Sequence, residues 1–305
     1  MKLKLTALAV LAAFGISAQA ADVTVSGSYI ELGVGNNGTL LNTTTGAGLR
    51  FDPTGTATFT PTTADYTYPG TPFSFFSVGV GSLWDVNGGL VGGASSNPLG
   101  MSTVDLSAGA GFPFVLSSMG TFGGLTIMQT LSFQPGWSKV HADVSLFNTT
   151  SAAIGGVTYA VGLDPDQGTN GGFGPVTTNT VLTRSGVAAA VQAVSTNGYS
   201  IVLQGVSGTI NNVWAGSAYA GGVGSGGLWE QDPTLLATGS SPLDGLGPVD
   251  ANIYLGYDIG TIAAGGTASL SYDYVLSAIP EPETYAMFLA GLGLMGVVAR
   301  RRTRA

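Results

Sequence analysis

The sequence contains no cysteine, a single histidine and few charged residues. The absence of cysteine excludes disulfide bonds, thiolate catalysis and cysteine-based zinc sites, so stability must come from burial and hydrogen bonding. Charged residues are 9% of the 305 residues, compared with about 25% in an average soluble domain. Because 44% of the residues are hydrophobic, the chain still has enough apolar surface to form a folded core.

The few basic residues are concentrated at the two ends of the chain. Between Ala21 and Ile279 there are three basic residues (Arg50, Lys139 and Arg184) and fifteen acidic ones, a net charge of −12. A surface with so few cations cannot neutralise a phosphate backbone, so we predict no nucleic-acid partner. Binding of this part of the chain to anionic lipid is disfavoured for the same reason.

Residues 1–20 have the three parts of a signal peptide. Two lysines supply the positive start, residues 5–16 the apolar middle, and Ala18 and Ala20 the small residues of a cleavage site. We therefore predict that signal peptidase cleaves before Ala21. An uncleaved membrane anchor is the alternative, but the apolar stretch is short for a membrane span.

Residues 279–305 contain three segments in a fixed order. The first is stiff and extended, because its two prolines fix φ and disfavour helix. An uncharged apolar run, residues 285–299, predicts a transmembrane helix, and the arginines behind it hold its end in the cytoplasm. The residues that define the first and third segments are Pro280, Glu281 and Pro282, and Arg300, Arg301 and Arg302.

This order of segments resembles the PEP-CTERM sorting signal of Gram-negative bacteria that make extracellular polysaccharide. The resemblance covers about the last 27 residues of the chain. It implies that an exosortase recognises the tail in the inner membrane, cuts near Pro280-Glu281-Pro282 and releases the body to the cell surface or beyond. It implies a destination rather than an activity, and a permanent C-terminal anchor is the alternative.

The body, residues 21–278, shows repeated alternation of apolar and polar residues, the period of a half-buried antiparallel strand. Together with glycine-rich turns, this pattern predicts an all-β, antiparallel β-sandwich-like fold. A boundary between two lobes, if the body is divided, falls near residues 117–124. The predicted strands include Val23–Ile30, Phe73–Val80, Leu125–Phe133, Val140–Phe147, Val157–Leu163, Val187–Val194, Ser200–Val206, Ile253–Ile259 and Ala268–Leu276.

A second resemblance concerns the middle of the body. Asn148-Thr149-Thr150, the predicted strand through Val157-Thr158-Tyr159 and the segment Asp164-Pro165-Asp166-Gln167 are similar to a pattern in uncharacterised secreted β-sandwich proteins. This resemblance implies a related fold and no activity.

Two loops carry the candidate site residues. Asp164 and Asp166 stand at alternate positions, as carboxylates that share Ca²⁺ do, although the loop is not an EF-hand and a turn capped by the two aspartates is the alternative. Trp229, Glu230 and Asp232 place two acids beside an aromatic ring, as in sugar-binding loops. Otherwise we predict no cofactor.

The single histidine, His141, lies in a predicted strand, and no G-x-S-x-G motif accompanies it. We therefore predict no catalytic residues and a non-enzymatic surface or matrix protein associated with exopolysaccharide. The alternatives are a carbohydrate-binding module or carbohydrate-active enzyme of the envelope, and a calcium-stabilised adhesin.

Overall fold

The computed structural model describes residues 21–60, 64–67, 74–89, 96–108, 113–169, 172–218, 230–239 and 248–278. The predicted signal peptide and the predicted transmembrane helix lie outside these residues. Within the described ranges, no helix is long and apolar enough to cross a membrane.

The described residues form strands and one short helix. In chain order the elements are β1 (Val23–Ser26), β2 (Ile30–Val34), β3 (Leu49–Phe51), β4 (Ala64–Asp65), β5 (Ser74–Val80), β6 (Leu83–Gly89), β7 (Ser102–Asp105), β8 (Phe114–Phe122), β9 (Leu125–Phe133), β10 (Lys139–Asn148), β11 (Ile154–Leu163), β12 (Thr177–Thr183), β13 (Ala190–Ser195), β14 (Tyr199–Gly208), β15 (Asn212–Ala218), α1 (Pro233–Leu236), β16 (Asn252–Ile262) and β17 (Thr267–Ala278).

The strands form three antiparallel sheets. A four-stranded sheet has the order β1-β2-β3-β4, an eight-stranded sheet β12-β13-β14-β17-β10-β9-β8-β7, and a five-stranded sheet β15-β16-β11-β5-β6. One hydrophobic cluster takes residues from all three sheets, among them Leu32, Tyr159 and Tyr272. The two larger sheets therefore pack on each other as a sandwich, which confirms the predicted all-β fold class.

Strand β10 shows how the sequence pattern becomes a buried face. Val140, Ala142, Val144 and Leu146 are buried and alternate with residues that are partly or fully exposed. Because side chains alternate across a strand, the inner set packs in the core and the outer set meets solvent. The predicted orientation of this strand is confirmed.

A polar contact connects the layers inside the core. Gln129 of β9 donates from Nε2 to the carbonyl oxygen of Gly38, 2.9 Å away. Its Oε1 accepts hydrogen bonds from the hydroxyl groups of Tyr159 on β11, at 3.0 Å, and Tyr272 on β17, at 3.4 Å. Burying these polar groups is tolerated because they hydrogen-bond to one another.

The Asn148-Thr149-Thr150 segment forms the turn between β10 and β11. Asn148 donates from Nδ2 to the carbonyl oxygens of Ala152, Ile262 and Ala263 at 2.8–3.0 Å. One buried side chain therefore joins the turn after β10 to the connection between β16 and β17.

Residues 117–124, where the sequence places a possible boundary, lie on the hairpin of β8 and β9. These two strands pair from Phe114 with Phe133 to Phe122 with Leu125. Gly123 and Gly124 form the turn between them with φ values of +56° and +85°, a conformation that favours glycine.

Candidate functional site

A cluster of three aspartates forms where β11 ends and β16 begins. Asp164 follows Leu163, the last residue of β11, and Leu163 pairs with Ile253 of β16. Since the two strands are antiparallel, the residues after β11 and those before β16 meet at the same end of the sheet. This arrangement brings Asp250 to the loop that contains Asp164 and Asp166.

The three side chains are close enough to share one ion. One carboxylate oxygen from each of Asp164, Asp166 and Asp250 lies within 4.8 Å of the other two. Asp164 is 2% exposed and Asp166 is 1% exposed, while Asp250 is half-buried. The structure thus brings together the two aspartates that the sequence singles out and places beside them a third carboxylate, Asp250, which the sequence pattern did not indicate.

The loop that carries two of these acids is tied to the eight-stranded sheet. The amide of Asp166 donates to the carbonyl oxygen of Asp164 at 3.0 Å. Gln167, which is fully buried, donates from Nε2 to the carbonyl oxygens of Ala193 at 3.3 Å and Tyr199 at 3.2 Å. The backbone of this acidic loop is therefore positioned by both large sheets.

Asp166 and Asp250 are buried or half-buried without a nearby positive charge among the described residues. Desolvation, together with the charges of Asp250 and Asp65, raises the pKa of Asp166 from 3.8 to about 8, and burial raises the pKa of Asp250. The ion pairs formed within the described ranges include neither Asp166 nor Asp250. Within the described residues, the buried oxygens without a hydrogen-bond partner include four in this region: Oδ1 of Asp166 and of Asp250, Oε1 of Gln167 and Oγ1 of Thr169.

A second charged cluster lies on the outer face of β10 and β17, and in it acidic side chains are paired with basic ones. His141 pairs across the strands with Asp273, and Nδ1 of His141 lies 2.6 Å from Oδ1 of Asp273. Nζ of Lys139 lies 2.9 Å from Oδ2 of the same carboxylate. On the other side of the imidazole, Nε2 lies 3.4 Å from Oδ1 of Asp143. We call these four residues the histidine cluster.

The charges of the histidine cluster shift its pKa values in opposite directions. Hydrogen bonds to Asp143 and Asp273 raise the pKa of His141 from 6.5 to about 9. Burial alone would raise the pKa of Asp273, but the hydrogen bonds and charges of His141 and Lys139 outweigh it and lower that pKa. His141 is therefore protonated at neutral pH.

The predicted sugar-binding loop is described in part, because Trp229 lies outside the described residues. A carboxylate oxygen of Glu230 accepts from the amides of Gln231 at 3.0 Å and Asp232 at 2.9 Å. Asp232 caps the N-terminus of α1 and accepts from the amide and hydroxyl of Thr234 at 2.8 and 2.6 Å. Both carboxylates thus hold the local backbone.

Comparisons with known proteins identify a sorting signal near the C-terminal end of the chain. The fold defines an antiparallel all-β sandwich protein. Residues 278–302 match the family model of the PEP-CTERM protein-sorting motif, so the chain is an exported protein that carries an exosortase sorting signal. The resemblance of the C-terminal residues to a PEP-CTERM sorting signal is thereby confirmed. A search of curated proteins found no relative of this chain.

Several solved structures have a remotely similar fold. A polysaccharide lyase matches with 10% identity and a TM-score of 0.37, and the match covers 86% of this chain and 33% of the lyase. A galactose mutarotase related enzyme from Lactobacillus acidophilus matches with 9% identity and a TM-score of 0.40, over 85% of this chain and 98% of that one.

An α-galactosidase from Geobacillus stearothermophilus matches with 9% identity and a TM-score of 0.38, over 84% of this chain and 40% of that chain. The chain spans about a third of the lyase and two fifths of the galactosidase. Because the TM-scores are below 0.5, these similarities do not indicate an activity for this chain.

Proposed function

We propose that this protein is a non-enzymatic component of the cell surface or extracellular matrix, sorted by exosortase and associated with exopolysaccharide. The observation that carries the proposal is the sorting motif at residues 278–302. Signal peptidase would cleave before Ala21, and the tail would insert transiently in the inner membrane until exosortase acts. The body would then act through its folded surface.

The histidine cluster supports a structural role for the only histidine. Ser132 of β9 is the cross-strand partner of His141, and Asp273 lies on its other side, so the three residue types of a hydrolase triad stand in a row. However, a general base must accept a proton from the serine. With a pKa of about 9, His141 already carries that proton at neutral pH.

The two acids of the predicted sugar-binding loop support the same conclusion. A glycosidase needs one carboxyl group that protonates the leaving oxygen and a second that attacks or activates water. Glu230 and Asp232 instead accept hydrogen bonds from neighbouring backbone amides, and Asp232 does so as the cap of α1. These contacts give each carboxylate a structural role.

Localisation tests the sorting part of the proposal. In cells with exosortase, the extracellular species should begin at Ala21 and lack residues 285–305, as intact mass spectrometry would show. Replacing Pro280, Glu281 and Pro282 together with alanine should leave the chain in the inner membrane. Glu283→Ala, which removes a neighbouring carboxylate but keeps Pro280-Glu281-Pro282, is the matched control. Unchanged release of the triple variant would contradict the proposal.

Sugar-release assays test the non-enzymatic part. The released protein should liberate no reducing sugar from bacterial exopolysaccharides, with or without Ca²⁺. Turnover that disappears in Glu230→Gln but persists in Glu31→Gln would overturn the proposal in favour of a carbohydrate-active enzyme. Retention on immobilised exopolysaccharide without turnover would support the proposed matrix association.

A further inference from the structure

We propose that Asp164, Asp166 and Asp250 form a buried binding site for one calcium ion, which fastens the ends of the two large sheets together. This inference goes beyond the proposed function and does not depend on sorting. It rests on the geometry of the aspartate cluster and on the buried oxygens around it.

The spacing of the carboxylates fits a calcium ion. Ca²⁺ binds oxygen ligands at about 2.3–2.6 Å, so two ligands on opposite sides of one ion lie no more than about 5 Å apart. The carboxylate oxygens of Asp164, Asp166 and Asp250 all lie within 4.8 Å of one another. A single ion placed among them can therefore contact all three.

The chemistry of the donor set selects a hard cation. All three charged donors are carboxylates, and the chain has no cysteine, while its one histidine belongs to the histidine cluster. Zinc sites in proteins are built mainly from cysteine and histidine, whereas Ca²⁺ takes carboxylate and carbonyl oxygens. The donor set therefore favours Ca²⁺ over a transition metal.

A second observation, independent of the clustering, also indicates a ligand. Asp166 is 1% exposed, yet its Oδ1 accepts no hydrogen bond from any described residue. Next to it, Gln167 is fully buried and its amide oxygen is likewise without a hydrogen-bond donor in that part of the chain. Buried oxygens are normally hydrogen-bonded, and an ion supplies what is missing here.

At this position, a bound ion would connect segments that lead into the two large sheets. Asp250 follows Val249, which exchanges backbone hydrogen bonds of 3.1 and 2.9 Å with Thr177 at the start of β12. Two residues later the chain enters β16 of the other large sheet. An ion held by Asp250 and the loop after β11 would join these two segments where the chain passes from sheet to sheet.

Calorimetry and thermal unfolding of the full chain, purified in mild detergent and stripped with EDTA, test the proposal. Wild type should bind one Ca²⁺ per chain. At 100 times the dissociation constant, the melting temperature should rise by about 5–10 °C, because the ion binds only the folded state. The same concentration of Mg²⁺, a smaller ion with stricter geometry, should give a much smaller rise.

Asp166→Asn should abolish both the binding heat and the rise in melting temperature while leaving the stripped protein folded. Asp258→Asn, which removes the same charge from β16 outside the cluster, should retain both. An identical melting temperature for wild type in Ca²⁺ and in EDTA, an undiminished response of Asp166→Asn, or an equal response to Mg²⁺ would each overturn the assignment.

Discussion

The two charged clusters of this protein each bury a carboxylate, but they surround it with side chains of opposite charge. In the histidine cluster, Asp273 is almost buried, but a histidine and a lysine lie within 3 Å of its oxygens. In the aspartate cluster, Asp166 is equally buried and its nearest charges are acidic. The same residue type therefore has a lowered pKa in one place and a raised pKa in the other. Burial alone does not determine the charge of an aspartate; its partners do.

Removing the central acid of the histidine cluster should have the largest effect. Asp273→Ala should lower the free energy of unfolding by about 2 kcal/mol, because His141 and Lys139 lose their shared partner in a half-buried place. Urea denaturation at pH 7 measures this effect. Asp143→Ala, whose side chain is 65% exposed, should change the free energy by less than about 0.5 kcal/mol. Equal losses in the two variants would contradict this account.

The pH dependence of stability should reveal the protonated histidine. The pKa of His141 is about 9 in the folded protein and 6.5 as its ordinary value. The stabilisation from its charge should therefore be complete below pH 6.5 and disappear as the pH rises through about 9.

Comparing wild type with His141→Gln isolates this contribution, since the aspartate cluster titrates equally in both proteins. The difference in unfolding free energy should shrink by about 1–2 kcal/mol between pH 6 and pH 10. Thermal or urea unfolding at a series of pH values measures it. A difference that stays constant over that interval would show that folding does not shift the pKa of His141.

A neutral replacement in the aspartate cluster should have the opposite sign to Asp273→Ala. In EDTA, Asp166→Asn should raise the free energy of unfolding by about 1 kcal/mol, because it removes a buried acid beside like charges. Asp258→Asn is the control for loss of a charge alone and should have little effect. A loss of stability in Asp166→Asn without calcium would mean that the carboxylate makes a favourable contact there.

The smallest expected effect concerns Lys139. Its ammonium group lies 5.2 Å from the ring centre of Trp137 and is partly exposed, so Lys139→Ala should lower the free energy of unfolding by about 0.5 kcal/mol. Lys139→Met keeps the apolar stem and removes the charge. Urea unfolding of the two variants separates the contribution of the charge from that of the apolar stem packed on Trp137. If Lys139→Met loses as much unfolding free energy as Lys139→Ala, the effect comes from the charge.

The strands with clean alternation were predictable from the sequence. Leu125–Phe133 has the predicted bounds, and β10 differs by one residue at each end from the prediction. Strands β8 and β12 are among those that were missed, because their patterns are less regular: β8 buries Ser117 and Ser118 side by side, and β12 is rich in threonine. Their positions depend on neighbouring strands rather than on local sequence.

The candidate sites divide in the same way. Asp164 and Asp166 could be predicted as a pair because they are two residues apart in the sequence. Asp250 and Asp273 could not be assigned to their partners, because their positions depend on which strands pair and in what register. A prediction of those pairings, rather than a motif, would have been needed to find them.

The position of β17 has a mechanical consequence. This strand ends at Ala278, where the sorting motif begins, and it lies between β14 and β10 inside the eight-stranded sheet. A pull on the tail along the direction of β17 would therefore load the hydrogen bonds to both neighbours together, as in shear, instead of peeling an edge strand away one bond at a time. A force applied to the tail during export would therefore act on a strand that is hydrogen-bonded along both of its edges.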